Sequence, residues 1–282
     1  MSFKAHTNEM LQDSGLPIYA LHLADNSLVL GHRNSEWTGY GPILEQDIAL
    51  SNIALDLIGQ ARYLYQYAAR LMNKAAGGPA AGGAAAGGAV ASGQREITED
   101  SLAYGRDAWD FRNCLLVEQA NGDWGKTILR QFLFSAWQLF FYEQLKRSRD
   151  SELAAIAEKS HKEVIYHLRW SSEWVIRLGD GTAESHSRME KAMDELWQYT
   201  GELFSPADYE RKLSPAGIAV DLAVIRPLWE ERVQEVLMEA GLAGHRKDWM
   251  QTGGKQGRHT EQLGYLLAEM QFLQRAYPDC EW

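Results

Sequence analysis

The sequence has little that could cross-link the chain or anchor it to a membrane. It contains only two cysteines, Cys114 and Cys280, which are too few for a disulfide framework or a cysteine-held metal cluster. No apolar run approaches the ~18 residues that a transmembrane helix requires. The first residues, MSFKAHTNEMLQDSGLP, lack the apolar core of a signal peptide. We therefore expect a protein of the cytoplasm that makes no membrane contact.

A basic face and the common catalytic motifs are also missing. The net charge is −10, whereas a protein that binds nucleic acid needs a positive surface. No Gly-x-Ser-x-Gly elbow occurs. The string TGGKQG at 252–257 is not a phosphate-binding loop, because Gln256 follows the lysine where Ser or Thr is required. We expect a flexible contact loop there, followed by a helix that His259 or Thr260 caps.

The chain has abundant hydrophobic residues, 45% of the total, and they recur at helical spacing. We found no alternating strand pattern, so the prediction is all-α, with residues 1–282 as a single domain. Four long helices with short terminal ones favour a ferritin-like four-helix bundle, in which Gly179 and Gly181 would cap the third long helix. The predicted helices are 42–73, 98–119 (bent near 110–113), 123–147, 151–178, 185–203, 226–241 and 259–278.

Residues 75–93 interrupt these patterns with a mixture of Gly and Ala. Such a segment has almost no large apolar side chain with which to anchor itself in a core. We predict a disordered, flexible surface insertion between two helices.

The stretch KEVIYHLRW, residues 162–170, places Glu163 and His167 one helical turn apart. A di-iron bundle needs two Glu-x-x-His pairs and two further carboxylates to converge on two metal ions. The sequence contains no Glu-x-x-His pair, and Val164 stands three residues before His167. A spacing of four can also share a helix face, so spacing alone leaves a metal site open.

Several longer strings resemble one family. They are LVLGHRNSEWTGYGPILEQDIALSNIALDLIGQARYLYQYA, LLVEQANGDW, KEVIYHLRW, KLSPAGIAVD and TGGKQGRHTEQLGYLLAEMQFLQ. The family is the non-catalytic C subunit of bacterial phenylacetyl-CoA 1,2-epoxidases, which are multicomponent monooxygenases. The resemblance covers nearly the whole chain apart from the Gly/Ala-rich insertion.

The resemblance implies a structural subunit in phenylacetate catabolism that is not itself catalytic. Its partners would be the catalytic di-iron A subunit, the other epoxidase subunits and phenylacetyl-CoA, and the isolated chain would form a homodimer. The chain would hold no cofactor. The complex would use di-iron in the A subunit and electrons from NADPH, delivered by a reductase with FAD and an iron–sulfur cluster.

Comparison with the A-subunit pattern gives six degenerate metal positions, of which only His167 keeps a ligand-competent side chain. On this reading His167 is a buried structural histidine, hydrogen-bonded to a neighbour such as Gln60. The alternatives are a metal-binding ferritin-like oxygenase with its own site, or a free-standing homo-oligomeric adaptor. The six positions are Ser27, Leu57, Gln60, Ser135, Val164 and His167.

Coenzyme A carries phosphates, which Arg and Lys bind through charge-assisted hydrogen bonds. The resemblance implies that the thioester lies near the interface between the two large subunits. Arg112, Asn113, Arg211 and Lys212 are the predicted contacts to it. The alternative is that each is an ordinary surface residue.

Deleting residues 77–91 should leave folding and assembly intact, because Val90 is the only large apolar side chain there. Shortening a loop changes the free-energy cost of closing it by only about 1 kcal/mol or less. Thermal unfolding of the deletion variant checks this expectation. A melting temperature lowered by more than about 8 °C would show that the insertion packs on the core.

Overall fold

The computed structural model of the chain describes residues 15–76, 96–242, 249–277 and 280. These residues form helices, turns and loops, and no strand occurs among them. The predicted all-α class is therefore confirmed. The predicted insertion at 75–93 lies almost wholly outside the described residues, which begin again at Glu96 after Ala76. Among the described helices, none combines the length and the hydrophobicity needed to cross a bilayer.

Four long helices form the bundle, as two hairpins packed side by side. Helix α1 (Leu16–Ser35) packs along α2 (Leu44–Ala75), and α5 (Trp124–Leu145) packs along α6 (Ser151–Gly179). Helix α2 also contacts α6. Short helices follow α2 and precede α5, and further helices pack around the second hairpin. The other helices are α3 Glu99–Tyr104, α4 Leu115–Glu118, α7 Ala183–Leu196, α8 Asp208–Leu213, α9 Leu222–Glu239, α10 Glu261–Met270 and α11 Phe272–Ala276.

Helix α1 is not among the predicted helices, and the prediction of a fourth long helix at 185–203 is wrong. The shorter helix α7 ends there at Leu196 and is followed by two 3₁₀ turns, Trp197–Tyr199 and Gly201–Phe204. Helix α7 packs outside the bundle on α5 and α6. The reason is that α1 is buried on nearly all sides, including polar residues such as Asp25, Asn26 and Asn34. A helix buried all round has no apolar stripe with a helical period to reveal it.

The ends of the other long helices follow local rules. Asp123 accepts a hydrogen bond from Lys126 N at the start of α5, and Asp150 does the same for two N–H groups at the start of α6. The predicted glycine cap at the end of α6 is wrong, because the C-cap residue is Asp180 with φ −87°. Gly179 lies inside the helix, where a Cβ would collide with the carbonyl of Ala240.

Residues 98–119 do not form the predicted single bent helix. Only Glu99–Tyr104 and Leu115–Glu118 are α-helical, and the stretch between them is fixed by buried side chains. Arg112 N donates to Asp25 and Cys114 N donates to Asn26, each at 2.7 Å. Side chains of α1 thus take the backbone hydrogen bonds that a continuous helix would have used.

The glycine-rich segment at 252–257 is not the predicted flexible loop. Lys255 is 1% exposed, and its Nζ lies 2.9 Å from Glu210 Oε2. Gly253 and Gly257 have φ of 140° and 80°, which L side chains rarely adopt. Thr260 is the N-cap residue of α10, as predicted, but its side chain makes no capping hydrogen bond. Its hydroxyl instead donates to Glu118 Oε1 at 2.8 Å, and His259 Nδ1 lies 2.7 Å from Oε2 of the same carboxylate.

The last predicted helices differ in their bounds. Helix α9 begins at Leu222 rather than at 226 and contains Pro227. The segment predicted as one helix at 259–278 is divided by Gln271 into α10 and α11. Gln271 is buried and donates to the carbonyl oxygens of Ala103 and Arg106, so this bend ties the C-terminal segment to residues near α3.

Lys255→Ala should lower the free energy of unfolding by about 3–5 kcal/mol, since it leaves Glu210 charged and buried without its partner. Lys255→Met combined with Glu210→Gln should recover most of that loss. The matched control is Arg226→Ala, which removes an exposed pair with Glu230 and should cost less than about 1 kcal/mol. Urea unfolding measures all three, and equal losses for Lys255→Ala and Arg226→Ala would contradict the expectation.

The same pair makes stability depend on pH. Burial alone would raise the pKa of Glu210, but Lys255 and His22 outweigh it and hold the pKa below its usual range. A carboxylate with a lowered pKa stabilises the fold above its ordinary pKa of about 4.3, and this contribution is lost as the pH falls through the lowered value. As the pH falls below about 4.3, the free energy of unfolding should therefore decrease less in the Lys255→Met, Glu210→Gln variant than in the parent protein.

Candidate functional site

The six degenerate metal positions lie on the four bundle helices and are buried in the interior. None of the six side chains is more than 2% exposed. Helix α1 contributes Ser27 and helix α5 contributes Ser135, whereas α2 and α6 contribute two positions each. The positions on α2 and α6 are Leu57, Gln60, Val164 and His167.

Gln60 connects three helices at the centre of the bundle. Its Nε2 donates to Glu163 Oε2 on α6 at 2.9 Å. Its Oε1 accepts from the Tyr142 hydroxyl at 3.2 Å and from Gln138 Nε2 at 3.4 Å, both on α5. Burial raises the pKa of Tyr142 to about 12, so the phenol keeps its proton and can act as a donor near neutral pH.

His167 is buried, as predicted, but its partner is Asp56 rather than Gln60. The distance from His167 Nε2 to Asp56 Oδ2 is 2.9 Å. The Asp56 side chain is 38% exposed, so this contact joins the interior to the surface between α2 and α6. His167 Nδ1 is buried and has no hydrogen-bond partner among the residues that the structure describes. The sequence does contain a signal for Asp56 as a partner of His167, because Asp56 lies one helical turn before Gln60 on α2.

Two of the four other positions are apolar, and their side chains, Leu57 and Val164, are fully buried in the hydrophobic core. Ser135 takes part in a neutral chain, in which Asn34 donates to Gln131 at 2.6 Å and Gln131 donates to the serine hydroxyl at 2.7 Å. Hydroxyl, amide and aliphatic groups therefore stand where bridging carboxylates would be needed to balance the charge of two irons.

These residues do not fit a di-iron centre. Within residues 15–76, 96–242, 249–277 and 280, no three His, Cys, Asp or Glu side chains form a group that could hold a metal ion. The carboxylate of Glu163 already accepts a hydrogen bond from the side-chain amide of Gln60. One imidazole and one partly exposed carboxylate are too few ligands for a stable iron site.

The predicted coenzyme A contacts fall into two segments near the same buried histidine. His22 Nδ1 lies 2.7 Å from the carbonyl oxygen of Arg112, and the rings of His22 and Tyr209 are 5.9 Å apart. Burial, with Lys255 nearby, lowers the pKa of His22 to about 4, so its ring is neutral near pH 7. The structure thus brings the 112 region and helix α8 to one side of α1.

The four predicted contacts differ in accessibility. Asn113 is fully buried and donates to Glu118 Oε2 at 2.8 Å, so it supports the fold of its own segment. Arg112 is half-buried, and its guanidinium donates to the carbonyl oxygens of Trp109 and Phe111. Arg211 and Lys212 are exposed, and Arg211 pairs with Asp208.

The isolated chain, purified natively, should contain far less than one iron per chain, because Leu57, Gln60, Val164 and Ser135 supply no anionic ligand. Elemental analysis after dialysis measures this directly. A ratio near two irons per chain would show that a di-iron centre forms from residues other than these.

Comparisons with known proteins identify the family of the chain. Residues 3–282 match the family model described as "Phenylacetic acid catabolic protein". A relative in Escherichia coli (strain K12), the C subunit of 1,2-phenylacetyl-CoA epoxidase, is 45% identical over 267 residues, which cover 95% of this chain and 99% of the relative. The chain therefore belongs to the family of phenylacetic acid catabolic proteins, whose fold is the ferritin-like bundle described above.

Proposed function

We propose that this chain is the structural, non-catalytic subunit of an epoxidase that acts on the ring of phenylacetyl-CoA in aerobic phenylacetate catabolism. The observation that carries the proposal is the neutral and apolar set of side chains at the ligand positions, above all Leu57, Gln60 and Val164. The similarity to the C subunit of an epoxidase, over nearly its full length, supports the choice of reaction.

The partner of this chain would be a catalytic subunit of the same fold that holds di-iron, together with the other epoxidase subunits. Electrons would come from NADPH through a reductase that carries FAD and an iron–sulfur cluster. We place the complex in the cytoplasm and expect the isolated chain to be a homodimer. This chain itself would hold no metal and no redox cofactor.

The structural role is supported by the way in which the centre of the bundle is filled. In a di-iron bundle, the metal ions and their carboxylates occupy the centre between the four helices. Here the hydrogen bonds of Gln60 and the packing of Leu57 and Val164 fill that space. Burying each aliphatic side chain contributes about 1.5–3 kcal/mol. The chain would thus present a stable surface to the catalytic partner without depending on metal loading.

Contact with coenzyme A remains part of the proposal for Arg112, Arg211 and Lys212. Asn113 is left out because its side chain is fully buried. Arg211 is paired with Asp208 only through an exposed contact, in which the aspartate side chain is 88% exposed. Such pairs contribute little to stability, so a phosphate could replace the carboxylate as the partner of the guanidinium.

Arg211→Ala combined with Lys212→Ala should raise the Michaelis constant for phenylacetyl-CoA in a reconstituted complex and leave the turnover number nearly unchanged. The reason is that binding a remote phosphate stabilises substrate and transition state equally. Each lost contact is worth about 1.5–3 kcal/mol if it is desolvated and much less if it is exposed. Arg226→Ala is the matched control, since Arg226 is also exposed and paired with a carboxylate.

His167→Ala separates a structural role from a catalytic one. It should lower the stability of the isolated chain by about 1–3 kcal/mol, because it removes a partly buried hydrogen bond to the carboxylate of Asp56. The rate per assembled complex should hardly change, as measured by steady-state kinetics on complexes that contain all subunits in equal proportions. A loss of about a hundredfold in turnover, close to 2.7 kcal/mol of barrier, would show that this chain takes part in the chemistry.

A further inference from the structure

A cavity of about 390 Å³ lies in the groove between α6 and α9, against α5. This volume is within the range of pockets that bind small molecules. Helix α6 contributes most of the wall, because six of its residues recur at spacings of three and four and therefore lie on one face of the helix. The six residues are Ile165, Leu168, Arg169, Ser172, Glu173 and Ile176.

The wall of the cavity is largely apolar, and the cavity is long. Leu168 is buried, whereas Ile176 and Leu139 of α5 are half-buried. From Ile165 to Ile176 the wall extends about 16 Å along α6, at 1.5 Å per residue. A linear hydrocarbon chain suits this shape better than a compact ring does, because it removes apolar surface from water along the whole groove.

Arg169 brings a positive charge to this wall. Its side chain is exposed, and its guanidinium lies 5.8 Å from the centre of the Tyr166 ring. Among the residues that the structure describes, the Arg169 side chain forms no ion pair and no hydrogen bond. Arg232 on α9 differs, because it pairs with Glu235 at 3.2 Å. Arg169 is therefore the cation that is available to a ligand.

Ser172 provides a second, independent sign of a ligand. It lies three residues after Arg169, and its side chain is 4% exposed. Within the described part of the chain its hydroxyl has no hydrogen-bond partner, which is unfavourable for a buried polar group. The neighbouring Ser171 shows the usual arrangement, in which the hydroxyl donates to the carbonyl oxygen of His167 at 2.7 Å. An acceptor held in the cavity would satisfy Ser172.

Glu173 limits the charge and the position of such an acceptor. It lies one turn after Arg169 and is exposed, so it repels an anion from the outer edge of the cavity. One available guanidinium beside one carboxylate suits a single negative charge better than a dianion. A carboxylate on the inner side can accept from both the Arg169 guanidinium and the Ser172 hydroxyl.

We propose that this cavity binds a linear fatty acid as its carboxylate. The hydrocarbon chain lies against Leu139, Leu168 and Ile176, and the carboxylate is bound by Arg169 and Ser172. Among the residues that line the cavity, none is one of the six degenerate metal positions. The site is therefore separate from the bundle centre and does not rest on the role proposed for the chain in an epoxidase.

Isothermal titration calorimetry of the full chain tests the recognition of the hydrocarbon chain. The probes are hexanoate, octanoate and decanoate, each below its micelle concentration. Every two added methylenes should lower the dissociation constant about fifteenfold, because each methylene leaves water for the apolar wall. Phenylacetate, a compact aromatic carboxylate, fills only part of the groove and should bind at least about tenfold more weakly than decanoate.

Arg169→Ala tests the recognition of the carboxylate. It should raise the dissociation constant of decanoate about fivefold, the loss expected for a partly exposed charge pair, and leave the affinity for decanol unchanged. The matched control is Arg177→Ala, because Arg177 is also an exposed arginine of α6 that stacks on an aromatic ring, that of Trp174. Arg177 lies outside the cavity, so this variant should bind decanoate like the parent protein.

Two further variants separate a binding role from a structural one. Ser172→Ala should raise the dissociation constant of decanoate about threefold without lowering the melting temperature of the free chain, since it removes an unpaired buried hydroxyl. Ser171→Ala is its control and should not change the affinity. Glu173→Gln should act in the opposite direction and tighten binding, because it removes a charge that repels the carboxylate.

Four results would overturn the proposal. The first is a dissociation constant of decanoate weaker than about 1 mM. The second is phenylacetate binding as tightly as decanoate, which would assign the cavity to compact aromatic acids. The third is an equal loss of affinity in Arg169→Ala and Arg177→Ala, which would reflect overall charge only. The last is protection from hydrogen exchange by decanoate at segments other than α6 and α9, which would place the fatty acid elsewhere.

Discussion

The centre of this bundle depends on the side chain of Gln60. Four converging helices leave a polar space that charged ligands fill in metal-holding relatives of the fold. Here a single neutral amide donates to Glu163 and accepts from Tyr142 and Gln138, so that α2, α5 and α6 are joined without a net buried charge. Leu57 and Val164 then pack beside it as ordinary core residues. Neutral hydrogen bonds avoid the desolvation penalty that an uncompensated carboxylate would bring.

A second set of buried polar groups fixes the segments outside the bundle. Asp25 on α1 forms a salt bridge with Arg106 and accepts from the backbone N–H of Arg112 at 2.7 Å. Glu202 accepts from the N–H groups of Leu115 and Gly253, which joins the segment before α5 to the glycine-rich loop. These carboxylates are satisfied by cations or backbone donors, so the extended connections are held as firmly as the helices. Arg112, one of the residues proposed for substrate contact, lies on this framework.

The sequence allowed the all-α class and the helices α2, α5 and α6 to be predicted, because their apolar residues repeat with a helical period. Helix α1 was missed because polar residues such as Asn26 are buried within it. The resemblance to a known pattern predicts Leu57 and Val164 as degenerate metal positions, and the structure shows that both side chains are buried in the core. The partner of His167 was not predicted, since the choice between Asp56 and Gln60 depends on how α2 and α6 are rotated against each other. The loop around Lys255 was misjudged because its buried partner, Glu210, lies far away in the chain.

The central claim is that the bundle core is complete without a metal ion. Thermal unfolding of the isolated chain, in a chelator and with excess ferrous iron under anaerobic conditions, tests it most directly. A ligand that binds only the folded state raises its stability by about 2.7 kcal/mol at a hundred times its dissociation constant, which for a chain of this size is a shift of several degrees. The account predicts melting temperatures that agree within about 1 °C. A rise of about 5 °C or more with iron would contradict it.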